Sequence, residues 1–193
     1  LKIKGDDPVE IENDRKALKQ GVMVTKSIPL APRNRLSAII NDAIDQLNEF
    51  DSSHNNFHVI WIHCIGKNSE FLAERFYSTI FGTQKLVSLN KPNIITCYYF
   101  TESCFFTFRN DVEAILLSHE KNNTLSLQLC INNLSPNSKK FRESELFLNI
   151  PQGIRDPDIL ESTENAMIAD CDFDRNEENN IVEYLRNKYK LKH

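Results

Sequence analysis

Between Lys2 and Gln46 lie the residues whose types could act on a phosphodiester. Lys2-Ile3-Lys4-Gly5 reads as the end of a strand, and Asp6-Asp7-Pro8 follows at once. Pro32-Arg33-Asn34-Arg35-Leu36 opens a helix that carries Gln46 before it ends. Hydrolysis of a phosphodiester at a one- or two-metal site needs hard carboxylate oxygens for Mg2+ and a lysine or glutamine to orient the attacking water. Arg33 and Arg35 stand at a helix start, where free N–H groups and the helix dipole favour backbone phosphates.

The elements that must position these residues follow from periodicity. The first strong helix is predicted over 32–50, because Leu36, Ile39, Ile40, Ala43, Ile44 and Leu47 form a core-facing stripe at helical spacing. Phe57 to Ile65 is apolar on both faces and is expected to be a central strand covered on both sides. Asn68-Ser69-Glu70 starts a second helix that runs to Phe81, with Gly82 as its stop. Strands are expected at 85–89 and 93–100, so a right-handed βαβ crossover from 57 to 85 is the default topology. Val112–Ser118 and Leu125–Asn133 flank a polar turn and read as a hairpin. A short helix is expected within 138–147, irregular chain over 151–174, and an amphipathic helix from about Glu177 to Lys190.

This order of elements resembles the PD-(D/E)XK nuclease superfamily, whose restriction-endonuclease-like members follow a (D/E)xK strand with a helix bearing glutamine or lysine. Lys2-Ile3-Lys4 stands where (D/E)xK would be, and Ala43-Ile44-Asp45-Gln46-Leu47 looks like that helix. The resemblance covers roughly the first third of the chain, to Ile65. It implies catalytic roles for Lys4 and Gln46, with Lys4 polarising the attacking water or the scissile phosphate. Lys2 occupies the position of a metal-binding acid, which leaves Asp6 and Asp7 as the nearest carboxylates for metal. The family's preceding acidic residues are expected upstream of Leu1.

The expected fold class is α/β: a mixed central β-sheet flanked by helices, with a restriction-endonuclease-like core and an antiparallel C-terminal half. A single α/β domain is expected over 1–193, with a nuclease-like core over 1–100 and an antiparallel extension over 101–193. The function implied is that of a Mg2+-dependent DNA endonuclease, acting in defence against foreign DNA. The alternative is an inactive nuclease-fold module working through protein–protein contacts, as a homodimer or as part of a larger complex.

Composition narrows the other classes. The 193 residues suffice for a proper core. Twelve Phe and only five Gly argue against a glycine-rich phosphate cradle. A net charge of -4 confines any DNA-binding surface to a local patch. The five cysteines are odd in number, widely spaced and mostly within apolar runs, which suits reduced core thiols in a cytoplasmic protein. No CxxC or Cys/His spacing points to structural zinc. No apolar stretch approaches a membrane span, and no signal peptide is apparent.

Asp170-Cys171-Asp172-Phe173-Asp174 fails as a calcium loop, since Arg175 replaces the glycine and Ile181 the bidentate glutamate; Asp174 or Asn176 is expected to cap the last helix. Tyr98-Tyr99-Phe100 and Cys104-Phe105-Phe106-Thr107-Phe108 read as core rather than base-stacking platforms. His58 and His63 lie on opposite faces of one strand and are read as core or strand-end residues.

Overall fold

A computed structural model describes residues 35–87, 94–121, 124–149, 153–163 and 166–190. It is mixed α/β, with helices flanking a mixed sheet. The order is α1 (Arg35–Phe50), β1 (Val59–Cys64), α2 (Ser69–Phe81), β2 (Gln84–Val87), β3 (Ile94–Tyr98), α3 (Cys104–Thr107), β4 (Ala114–Lys121) and β5 (Thr124–Ile131). There follow α4 (Ser138–Arg142), α5 (Glu145–Asn149), β6 (Ile154–Arg155), α6 (Pro157–Ser162), β7 (Ala166–Ile168) and α7 (Glu178–Tyr189).

Two sheets share the work. The larger has the order β1-β4-β5-β6, with β1 parallel to β4, β4 antiparallel to β5, and β5 parallel to β6. The smaller has the order β2-β3-β7, antiparallel and then parallel. The expected crossover from β1 therefore ends on β4 rather than on the strand at 85, and the β2–β3 hairpin is set aside in the second sheet.

One core binds both sheets. Leu36, Ile40 and Ile44 of α1 and Ala73, Phe76 and Ile80 of α2 pack against Ile60, Cys64, Ile115 and Leu117. The same cluster takes in Tyr98 and Ile168 from the smaller sheet. Phe81 stands edge-on to both Tyr98 and Phe105, with ring centroids 5.1 Å apart in each case, so the aromatic run is core as expected.

β1 differs from expectation. Among the described residues it is an edge strand, and only Ile60, Ile62 and Cys64 face the main core. Trp61 and His63 point the other way and are exposed. Its continuous apolar run reads as a doubly covered strand because Trp61 and Ile65 are apolar, yet both lie open to solvent.

Helix ends follow local chemistry. α2 stops at Gly82, which adopts the left-handed conformation at φ 57° and donates its N–H to Ser78 O. Asp174 does not cap α7; its carboxylate instead accepts from the Asn176 backbone and side chain in the turn before the helix. Asp156 caps α6, accepting the N–H of Asp158 with Pro157 at the first position.

Candidate functional site

The sequence-predicted site residues divide sharply. Lys4, Asp6, Asp7 and Arg33 lie outside the described residues. Arg35 and Gln46 lie within them, both exposed on α1. Eleven residues separate them, three turns at 3.6 residues each, so both ride one side of the helix about 16 Å apart.

Gln46 lines a cleft of about 240 Å³ between α1 and β1, with Ala43, Leu47, Val59 and Ile60. The amide therefore stands at the seam of helix and strand, beside the edge of β1 that has no neighbour among the described residues. Arg35 is in different company. The exposed side of α1 also carries Asp42, Asp45 and Glu49, so a polyanion meets more negative than positive charge along it. Among the described residues, no group of three or more His, Cys, Asp or Glu could hold a metal ion.

The two histidines serve different surroundings. His58 is buried, and its Nδ1 lies 2.9 Å from the Asp111 carbonyl; a carbonyl only accepts, so Nδ1 carries the proton. His63 lies on the exposed face, with Nδ1 2.8 Å from Ser118 Oγ, which also accepts the Trp61 indole N–H at 2.8 Å. A serine beside a histidine has the composition of a nucleophile and its base. Ser118, however, is fully buried beneath these neighbours, so no substrate carbon can reach its hydroxyl.

Sequence reasoning missed a second concave region, a cavity of about 340 Å³ where the two sheets meet. Lys85 reaches it from β2, Arg155 from β6, and Glu74 and Tyr77 from α2. The Tyr77 and Tyr98 hydroxyls meet at 2.5 Å along its wall. Burial, reinforced by the neighbouring phenol, pushes the Tyr77 hydroxyl well above the ordinary tyrosine range, so it stays neutral.

The strand that presents Arg155 is tightly seated. Gly153 has φ 75°, and a Cβ there would meet Leu127 O at 2.2 Å, so only glycine lets β6 close on β5. Arg142 then clamps the next residue, its Nε 2.7 Å from Asp156 Oδ2 and its Nη2 2.9 Å from Asp156 Oδ1. No local pattern marks Lys85 and Arg155 as partners, because seventy residues and a change of sheet separate them; a lysine inside a short apolar strand is the only sequence signal. No family model, no curated protein and no solved structure matches this chain.

Proposed function

We propose that this chain is a Mg2+-dependent DNA endonuclease domain of the restriction-endonuclease-like kind, acting against foreign DNA. What supports the reading is the position of Gln46, exposed in the α1–β1 cleft at a strand edge with no neighbour among the described residues. A helix bearing glutamine and leading directly into a sheet strand is the order that the resemblance to that superfamily requires. The described residues hold no metal-binding cluster, and the acids assigned to metal, Asp6 and Asp7, fall outside them.

The test is incubation of the folded protein with plasmid DNA and Mg2+ or Mn2+. Cleavage is expected, and Lys4→Ala and Gln46→Ala should each remove it while leaving the circular dichroism unchanged. DNA left intact across divalent metals by folded protein overturns the catalytic reading.

One observation favours a second reading, a non-catalytic module that pairs with a second copy. Trp61, Ile65 and Phe71 are 66%, 74% and 66% exposed, large apolar surface for solvent to meet. Light scattering then gives a dimer mass that Phe71→Ser lowers; a monomer at every concentration excludes it.

A further inference from the structure

We propose that the cavity between the two sheets binds a small sugar phosphate, its phosphate monoester gripped by Lys85 and Arg155. This goes beyond the nuclease reading and needs neither Lys4 nor Gln46.

Charge is the first argument. Lys85 and Arg155 both line the cavity, and neither forms an ion pair with another described residue. Arg109 and Arg142, the arginines with ion-pair partners among the described residues, each meet a carboxylate at 2.9 Å or less. Two cations facing one space without a matching pair of acids suit a doubly charged anion. A guanidinium presents a planar fork that matches two phosphate oxygens, and an ammonium adds a point charge for a third.

Geometry is the second. Lys85 belongs to the smaller sheet and Arg155 to the larger, so an anion held by both bridges the two sheets. Arg155 also lies over the Tyr77 ring, 5.9 Å from its centroid, which keeps the guanidinium against the cavity wall. Arg142 fixes the neighbouring Asp156, so the backbone presenting Arg155 is set before any ligand arrives.

Size and the remaining lining define the rest of the ligand. About 340 Å³ lies at the small end of ligand pockets and admits neither a duplex nor a folded partner. Thr96 and Gln128 supply neutral polar groups for hydroxyls. Glu74, the carboxylate of the lining, accepts hydrogen bonds from hydroxyls and repels a second phosphate. A monophosphorylated sugar meets all three conditions; a polyphosphate does not.

Isothermal titration of the full chain with ribose 5-phosphate, inorganic phosphate and unphosphorylated ribose tests this. Expected are saturable binding of ribose 5-phosphate, weaker binding of inorganic phosphate, and none of ribose. Arg155→Gln and Lys85→Gln should each weaken ribose 5-phosphate by about ten-fold or more, the loss of one charge-assisted contact. Both side chains are exposed, so the melting temperatures of the ligand-free variants should match the parent. Glu74→Gln should weaken ribose 5-phosphate but not inorganic phosphate, and Gln46→Ala should change neither. No saturable heat up to ~10 mM ribose 5-phosphate, or equal binding by parent, Arg155→Gln and Lys85→Gln, overturns the proposal. A failure to cut DNA leaves it standing.

Discussion

The buried carboxylate of Glu113 accepts the backbone N–H of His58 at 2.7 Å, and the Glu113 N–H returns a bond to the His58 carbonyl at 3.0 Å. This reciprocal pair ties the entry of β4 to the entry of β1 and so sets the register of the parallel ladder from Val59↔Ala114 onward. The other carboxylate oxygen accepts from Ser135 Oγ and Asn137 Nδ2, each at 3.2 Å, which fastens the chain leading to α4. Among the described residues, every bond to this carboxylate comes from a neutral donor.

Glu113→Ala strands the His58 N–H and the Ser135 and Asn137 donors in a water-poor site. A buried donor left without a partner costs about 1–3 kcal/mol, so the variant should lose about 3 kcal/mol overall. Glu113→Gln keeps one carbonyl acceptor and should lose less. Urea unfolding of both variants measures the difference. A midpoint for Glu113→Ala equal to the parent's would show that this knot does not hold the sheet.

How much of this was legible in sequence depends on range. The stripe of α1 and the left-handed stop at Gly82 are local features. Leu36, Ile40, Ala43, Ile44 and Leu47 face the core as periodicity has it, while Ile39 of the same stripe lies exposed at its margin. Gly82 stops α2 as glycine chemistry predicts. The β4–β5 hairpin is legible for the same reason, since a polar turn between two apolar runs encodes its own pairing. Strand partnership across the chain is not local. β7 spans only Ala166–Ile168, too few residues for any period, and is held by its register with Thr96–Tyr98. The candidate sites divide the same way. Gln46 is legible from a local pattern, whereas Lys85 and Arg155 line one cavity only because two sheets close on each other.

Gly82 carries a second constraint besides its φ. A Cβ there would lie 2.2 Å from Thr101 O and 3.0 Å from Glu102 O, both backbone atoms that cannot swing aside. The same turn is closed by Tyr99 N–H to Phe81 O at 2.8 Å and Thr101 N–H to Gly82 O at 3.1 Å. Gly82→Ala therefore adds a clash to left-handed strain of about 1–2 kcal/mol. Thermal unfolding should show a drop of several degrees, and near-ultraviolet circular dichroism of the Tyr98–Tyr99 environment should change with it. An unchanged melting temperature would mean that the junction between the end of α2 and the segment after β3 can open without cost.

Acid sensitivity should centre on Asp51. Burial raises its pKa, but the Asn56 side chain and N–H, the Asn55 N–H and the Ser53 hydroxyl all donate to its carboxylate and together hold it well below the ordinary carboxylate range. A carboxyl depressed in the folded state stabilises the fold above its unfolded pKa of about 3.9. That contribution is lost as pH falls through the folded value. Chemical unfolding between about pH 5 and pH 2 should therefore show a decline in stability that is smaller in Asp51→Asn. Parallel declines in variant and parent would remove Asp51 from the account.

Thiol reactivity should be confined to one position in the native protein. All five cysteines are unpaired, and Cys64, Cys97, Cys104 and Cys130 are buried. Burial pushes the thiols of Cys97 and Cys104 up to about 12, and those of Cys64 and Cys130 are raised by the same cause. A raised pKa leaves almost no thiolate at neutral pH, and burial bars the reagent as well. Cys171 alone is only half-buried, so a reagent can reach its sulfur, which accepts from Arg175 Nη1 at 3.4 Å. An aromatic disulfide reagent should label Cys171 rapidly, and Cys171→Ser should abolish that phase. The remaining thiols should react only at the rate of unfolding, and fully in denaturant. A second fast thiol in the native protein would mean that one of the four buried sulfurs is reached by local opening.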